Sequence, residues 1–187
     1  MLRNDNWGDR ARFGMFIVGN EAVPEAEWWA MAPPGVSIHA ARVTARAPWA
    51  RRRDNQAGVE LEEDLGRGTR QFASMRLSAV VIGHSSSSIL GGLGWDEAVV
   101  ETLSGILGPD VKVTTNGLDS LAGLRISEAR RPFLVLPPWF NDEIVAAAVR
   151  YYADRGFEPA GHLRYDPGRK WRDLAPGALY QHGMGFE

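Results

Sequence analysis

Ala79-Val80-Val81-Ile82-Gly83-His84-Ser85-Ser86-Ser87-Ser88-Ile89-Leu90-Gly91-Gly92 carries the strongest fold signal of the chain. A short, β-branched, wholly apolar run ends in Gly, His and four consecutive serines, and a helix-like segment follows. In an open parallel sheet, ligands bind just beyond the carboxyl ends of the strands. Successive backbone N–H groups at such a strand-to-helix turn form a ready anion site, and small hydroxyl side chains add donors without filling the space.

The flanking sequence repeats the pattern. Arg12–Val18 is an apolar run ending at Gly19-Asn20 and reads as a first strand. Pro24–Met31 has helix-like content, Pro33-Pro34-Gly35 breaks it, and Val36–Val43 alternates as a second strand. Glu60–Leu77 reads as a helix, Ala79–Ile82 as the third strand, and Trp95–Leu107 as an amphipathic helix stopped by Gly108-Pro109. A second set follows: strand Val111–Thr114, helix Gly117–Leu124, strand Phe133–Leu136 and helix Asn141–Arg155, capped by Asn141 and closed by Gly156. Phe157–Leu163 then reads as a strand and Trp171–Gln181 as a last helix. Strands alternating with helices indicate an α/β fold with mainly parallel sheets. The expected halves are residues 11–110 and 111–187, the second without a strand after its last helix and so incomplete.

Composition narrows the function classes. With 44% hydrophobic and 24% charged residues, the chain is an ordinary globular sequence. A formal net charge of −2 gives no reason to expect nucleic acid or an anionic membrane surface as partner. The run Arg51-Arg52-Arg53, soon followed by Glu60, Glu62, Glu63 and Asp64, reads as a solvated surface patch. No apolar run approaches a membrane span and the start lacks a signal-peptide core, so the cytoplasm is the expected compartment. The absence of cysteine removes disulfides, thiolate metal sites and cysteine nucleophiles together. His39, His84, His162 and His182 show no ligand-like spacing, so no metal and no other cofactor is expected.

Three readings of Gly83–Ser88 stand side by side. Ser85, Ser86, Ser87 and Ser88 with their backbone amides bind a carboxylate while His84 sits at the reacting centre. Alternatively the serines only cap the helix. Or Gly83-His84-Ser85 is a nucleophile elbow with Ser85 attacking, although that motif wants Gly where Ser87 stands. Asn20 follows the first strand, so a parallel sheet places it on the same edge, as a carboxylate holder or as a helix cap. Thr115 follows the fourth strand with the same two readings. Trp139, after Pro137-Pro138, either walls a pocket or belongs to the core.

Together these stretches resemble the aspartate/glutamate racemase superfamily, in its branch of maleate cis-trans isomerase and arylmalonate decarboxylase. The carriers are Phe16–Glu25 with Met31–Val43, the turn Gly83–Ser88, Thr114-Thr115 with Leu118–Leu124, and Leu136-Pro137-Pro138-Trp139. At the turn, isomerases carry Cys-Thr-Ser-Gly-Ser and the decarboxylase Gly-Thr-Ser-Leu-Ser. The resemblance spans residues 11–182 and implies two pseudo-symmetric Rossmann-like (flavodoxin-like) halves around a cofactor-free site. Racemases and isomerases of this group use a cysteine from each half; the decarboxylase keeps the second, and its hydroxyl turn stabilises an enediolate.

Carried over by position, Asn20 would hold a substrate carboxylate and His84 would replace the first-half cysteine. Ser85 and Ser86 would supply hydroxyl and amide donors, and Trp139 would replace a substrate-contacting tyrosine. Without cysteine, two-thiol racemisation and thiol-addition isomerisation are not open to this sequence. It also stops before the segment that would carry the second-half catalytic residue. The resulting expectation is a cofactor-independent decarboxylase- or isomerase-like protein for a small carboxylic or dicarboxylic acid, with His84 shuttling the proton. A non-catalytic carboxylate binder is the alternative, and a serine hydrolase using Ser85 the second. The incomplete second half leaves room for a homo-oligomer in which a partner chain covers an apolar face.

Overall fold

The computed structural model describes residues 6–52 and 58–166. The chain divides after Asn116 into two compact units. In chain order the first holds β1 (Ala11–Val18), α1 (Val23–Met31), β2 (Val36–Val43), β3 (Ala50–Arg52), β4 (Val59–Leu61), α2 (Glu63–Ala73), β5 (Ala79–Ile82), α3 (Ser85–Gly91), α4 (Trp95–Leu107) and β6 (Lys112–Thr115).

Four strands form one parallel sheet in the order β2-β1-β5-β6, with Phe16 level with Ala41 on one side and Ile82 on the other. Helices cover both faces, which is why β1 and β5 read as near-continuous apolar runs. The period-2 alternation of β1 sends Phe16 into a core with Val80, Ile82, Val43, Leu65, Phe72, Val99 and Leu103. Met15 and Ile17 point the other way, into a second core with Val36, Ile38 and Val81, against which Trp28 of α1 packs. Burial of each of these large side chains contributes about 2 kcal/mol. In α4, Trp95, Val99, Leu103 and Leu107 recur every fourth residue and form its buried stripe.

Two boundaries before the second unit differ from the sequence reading. The expected helix Glu60–Leu77 gives up its start to a hairpin, and α2 begins at Glu63. Val59-Glu60-Leu61 pairs antiparallel with Ala50-Arg51-Arg52, burying Val59 and Ala50 while Glu60 and Arg51 stay exposed. The second difference is β6, read as opening the second half. It pairs with β5 in the first sheet, so the chain divides some residues later than the boundary at 110/111.

In the second unit, α5 (Asn116–Ile126) precedes β7 (Phe133–Leu136), α6 (Asp142–Ala153) and β8 (Gly161–Arg164). β7 and β8 pair in parallel, giving a strand–helix–strand unit. Asn141 caps α6, its Oδ1 accepting the Ile144 N–H at 2.9 Å, and Gly156 follows with φ +85°. The strand expected at Phe157–Leu163 begins at Gly161, because Pro159 cannot donate to a ladder. The helix expected at Trp171–Gln181 and His182 lie outside the described residues.

Candidate functional site

All four strands of the first sheet run the same way, so β1, β5 and β6 deliver their carboxyl ends to one edge. Asn20 lies just beyond β1, Gly83 to Ser88 just beyond β5, and Thr115 at the end of β6. The edge therefore gathers Asn20, His84, Ser85, Ser86, Ser87 and Thr115 from segments far apart in sequence.

The serine turn divides into two pairs. Ser85 and Ser86 open α3, and neither their hydroxyls nor their amides bond to any described residue. Ser85 is exposed and Ser86 half-buried. Ser87 and Ser88 are fully buried and committed. Ser88 donates to Asp96 Oδ1 at 2.6 Å, and Thr115 donates to the same oxygen at 2.6 Å. The buried Asp96 carboxylate thus ties the start of α4 to α3 and to the end of β6. Thr115, with no exposed surface, serves this junction.

His84 is the N-cap residue of α3 and makes no side-chain bond to the helix N–H groups. Its Nδ1 lies 2.9 Å from Ser87 Oγ, and its ring stacks on the Trp49 indole at 4.1 Å between centroids and 21° between planes. The Trp49 N–H donates to Ser87 Oγ at 3.0 Å, and its indole N–H to the Ala45 carbonyl at 3.0 Å. Burial under this indole lowers the His84 pKa to about 4, so the ring is uncharged near neutrality. Nε2 has no partner among the described residues.

Trp49 was not singled out from the sequence. The signal was available: Trp49-Ala50 followed by Arg51-Arg52, facing Val59-Glu60-Leu61, is a short alternating pair. The arginine run after it read as a solvated surface patch instead, and Glu60 as the start of a helix.

Asn20 sits exposed in the turn after β1. The N-cap of α1 is Ala22, so Asn20 does not cap that helix, and its side chain bonds to no described residue. Arg42 secures the turn behind it, donating to the Glu21 carbonyl and, at 2.8 Å, to Glu25 Oε2. Trp139 belongs to the second unit, 44% exposed after β7. Phe140 N–H closes the turn around it onto the Pro137 carbonyl at 3.2 Å.

The elbow reading finds no support in these contacts. Among the described residues Ser85 has no histidine partner, and Ser87, which has one, is buried with a lone pair occupied by Trp49 N–H. His162 is an exposed residue of β8. Among the described residues, no three His, Asp or Glu side chains cluster as a metal site, and no helix is long and apolar enough to cross a membrane.

No protein-family model and no curated protein sequence matches the chain. Solved structures do. A maleate isomerase from Pseudomonas putida S16, crystallised with maleate, aligns at TM-score 0.65 and 17% identity over 82% of this chain and 63% of its own. The maleate cis-trans isomerase of Nocardia farcinica aligns at TM-score 0.65 and 17% identity, over 88% of this chain and 73% of its own. A variant of the latter holds a covalently bound succinylcysteine intermediate. Unliganded arylmalonate decarboxylase aligns at TM-score 0.62 and 16% identity over 93% of this chain and 70% of its own. The chain thus spans less than two thirds of the first of these proteins. With the parallel sheet, its strand order and these alignments in hand, the chain has the α/β fold shared by maleate isomerase and arylmalonate decarboxylase.

Proposed function

We propose that the chain binds a small carboxylic or dicarboxylic acid at the carboxyl edge of β1 and β5 and stabilises an enediolate-type charge on it without a cofactor. One observation carries this reading. Beyond β5, the Ser85 and Ser86 N–H groups and hydroxyls are uncommitted among the described residues, and they adjoin an uncharged imidazole held by Ser87 and Trp49. Asn20 lies beyond the neighbouring strand, with both an N–H₂ donor and an acceptor to offer.

Loss of carbon dioxide from a malonate-type acid leaves the electron pair of the broken C–C bond on the α-carbon. The remaining carboxylate takes up that charge as an enediolate, and a proton from solvent water then adds to the α-carbon to give the product acid. Donors already aimed at its oxygens lower the barrier, and one such donor is worth about 10²–10³ in rate. With its pKa near 4, His84 is a weak base at neutral pH. Hydrogen bonding to the developing charge suits it better than the proton shuttle expected from the sequence. A succinylcysteine adduct like that of the Nocardia enzyme needs a thiol, and these 187 residues contain none. That favours decarboxylase-like charge stabilisation by the hydroxyl turn over thiol addition. The same lack of a thiol favours, as second reading, a carboxylate binder without turnover.

Calorimetric titration with malonate, phenylmalonate and maleate, run beside turnover assays on the same acids, tests both. The proposal expects binding and turnover of at least one acid, with His84→Ala lowering turnover about 100-fold. Binding without turnover leaves the second reading. Unchanged turnover in His84→Ala, or no binding of any acid, sinks the proposal.

A further inference from the structure

The buried Ser87 hydroxyl touches two polar groups, Trp49 N–H at 3.0 Å and His84 Nδ1 at 2.9 Å. A backbone N–H can only donate, so Trp49 takes one lone pair of Ser87 Oγ. No other acceptor among the described residues reaches the hydroxyl, which leaves its proton directed at His84 Nδ1. A nitrogen that accepts holds no proton, and a neutral imidazole then carries its single proton on Nε2. In the reverse arrangement Nδ1–H would donate to Ser87, and a buried hydroxyl proton would be stranded, which folded proteins avoid. The ring itself is clamped: Trp49 stacks on it, and the indole is anchored through Ala45.

From these contacts we propose that Ser87 and Trp49 are positioning residues that fix His84 in the Nε2–H tautomer, so that its imidazole meets a ligand as a hydrogen-bond donor. The group facing Nε2 is then an acceptor, such as a carboxylate or enediolate oxygen. An amino group in that place would set donor against donor. The tautomer follows from protein contacts alone; its use toward a ligand rests on the carboxylate reading above.

The test is nitrogen-15 NMR of the full chain with labelled histidine at neutral pH, reading the tautomer from long-range proton–nitrogen correlations. The His84 signals are those missing from His84→Gln. The expected result is a single Nε2–H tautomer in the wild type, lost to a mixture or to Nδ1–H in Ser87→Ala and restored in Ser87→Thr. An Nδ1–H or averaged wild-type ring overturns the proposal, as does a Ser87→Ala ring that keeps the wild-type tautomer. Should Ser87→Ala fail to fold, the wild-type spectrum decides alone. Added phenylmalonate is expected to move the Nε2–H proton while the tautomer persists. If the tautomer is present and that proton does not move, the positioning role stands and the carboxylate reading falls.

Discussion

Burial makes the His84 imidazolium costly, and that cost extends to the stability of the whole fold. The folded pKa is about 4 against 6.5 for an unperturbed histidine. Between those values the unfolded chain takes up a proton that the folded chain refuses, so stability falls as pH drops from about 6.5 towards 4. At about 1.4 kcal/mol per pH unit the loss from this residue is roughly 3 kcal/mol once the window is crossed. His39, also lowered by burial and then by Arg12, acts in the same direction. Urea denaturation at pH 7.5 and 4.5 is therefore expected to show a larger loss in the wild type than in His84→Gln, by about 2–3 kcal/mol. Equal losses would show that His84 is not the group whose protonation opposes folding. The chemistry of this residue was only half legible beforehand. The sequence shows an imidazole after a strand, but its basicity depends on an indole 35 positions away in sequence, brought there by a hairpin too short to announce itself.

Elements were legible where their burial pattern is local. β1, β2, β5, α4 and β7 show themselves through apolar runs or a four-residue stripe, because each buries a face whose apolar residues are close in sequence. The β3–β4 hairpin has three-residue strands with one face solvated, so neighbouring charges outweigh its alternation. Close contacts between elements are not legible at all, and two glycines show why. A Cβ on Gly91, at the end of α3, would fall 2.1 Å from Trp95 Cγ. That indole is buried and donates to the Ala50 carbonyl at 2.8 Å, so it cannot swing aside without losing the bond. Gly105 lies inside α4 with nothing within 4 Å of the added carbon. Alanine gains up to about 1 kcal/mol over glycine within a helix, whereas overpacking costs about 1–3 kcal/mol. Gly105→Ala should therefore stabilise by about 0.5–1 kcal/mol, and Gly91→Ala should destabilise by about 1–2. Thermal or chemical denaturation reads both; stabilisation by Gly91→Ala as well would mean that propensity outweighs packing at the α3–α4 junction.

Across the whole molecule, the two units differ in how their sheets are protected. β1 and β5 are interior strands of a four-stranded parallel sheet, with Phe16 and Ile82 in one core and Met15, Ile17 and Val81 in the other. Among the described residues of the second unit, β7 and β8 form a two-stranded sheet. Leu134 and Leu136 are buried, but on alternate positions Phe133 is 55% exposed, Val135 65% and Leu163 44%. A two-stranded sheet is marginal by itself, and amides protected by few buried contacts open through local fluctuations rather than global unfolding. Native-state hydrogen exchange should rank the amides of Met15–Ile17 and Val80–Ile82 near the global unfolding free energy. Those of Leu134–Leu136 and His162–Leu163 should open several kcal/mol more easily, a rate difference of at least 100-fold. Equal protection in the two sheets would require the β7–β8 face to be covered in solution. It would also mean that the second unit unfolds only together with the first, rather than opening while the parallel sheet stays intact.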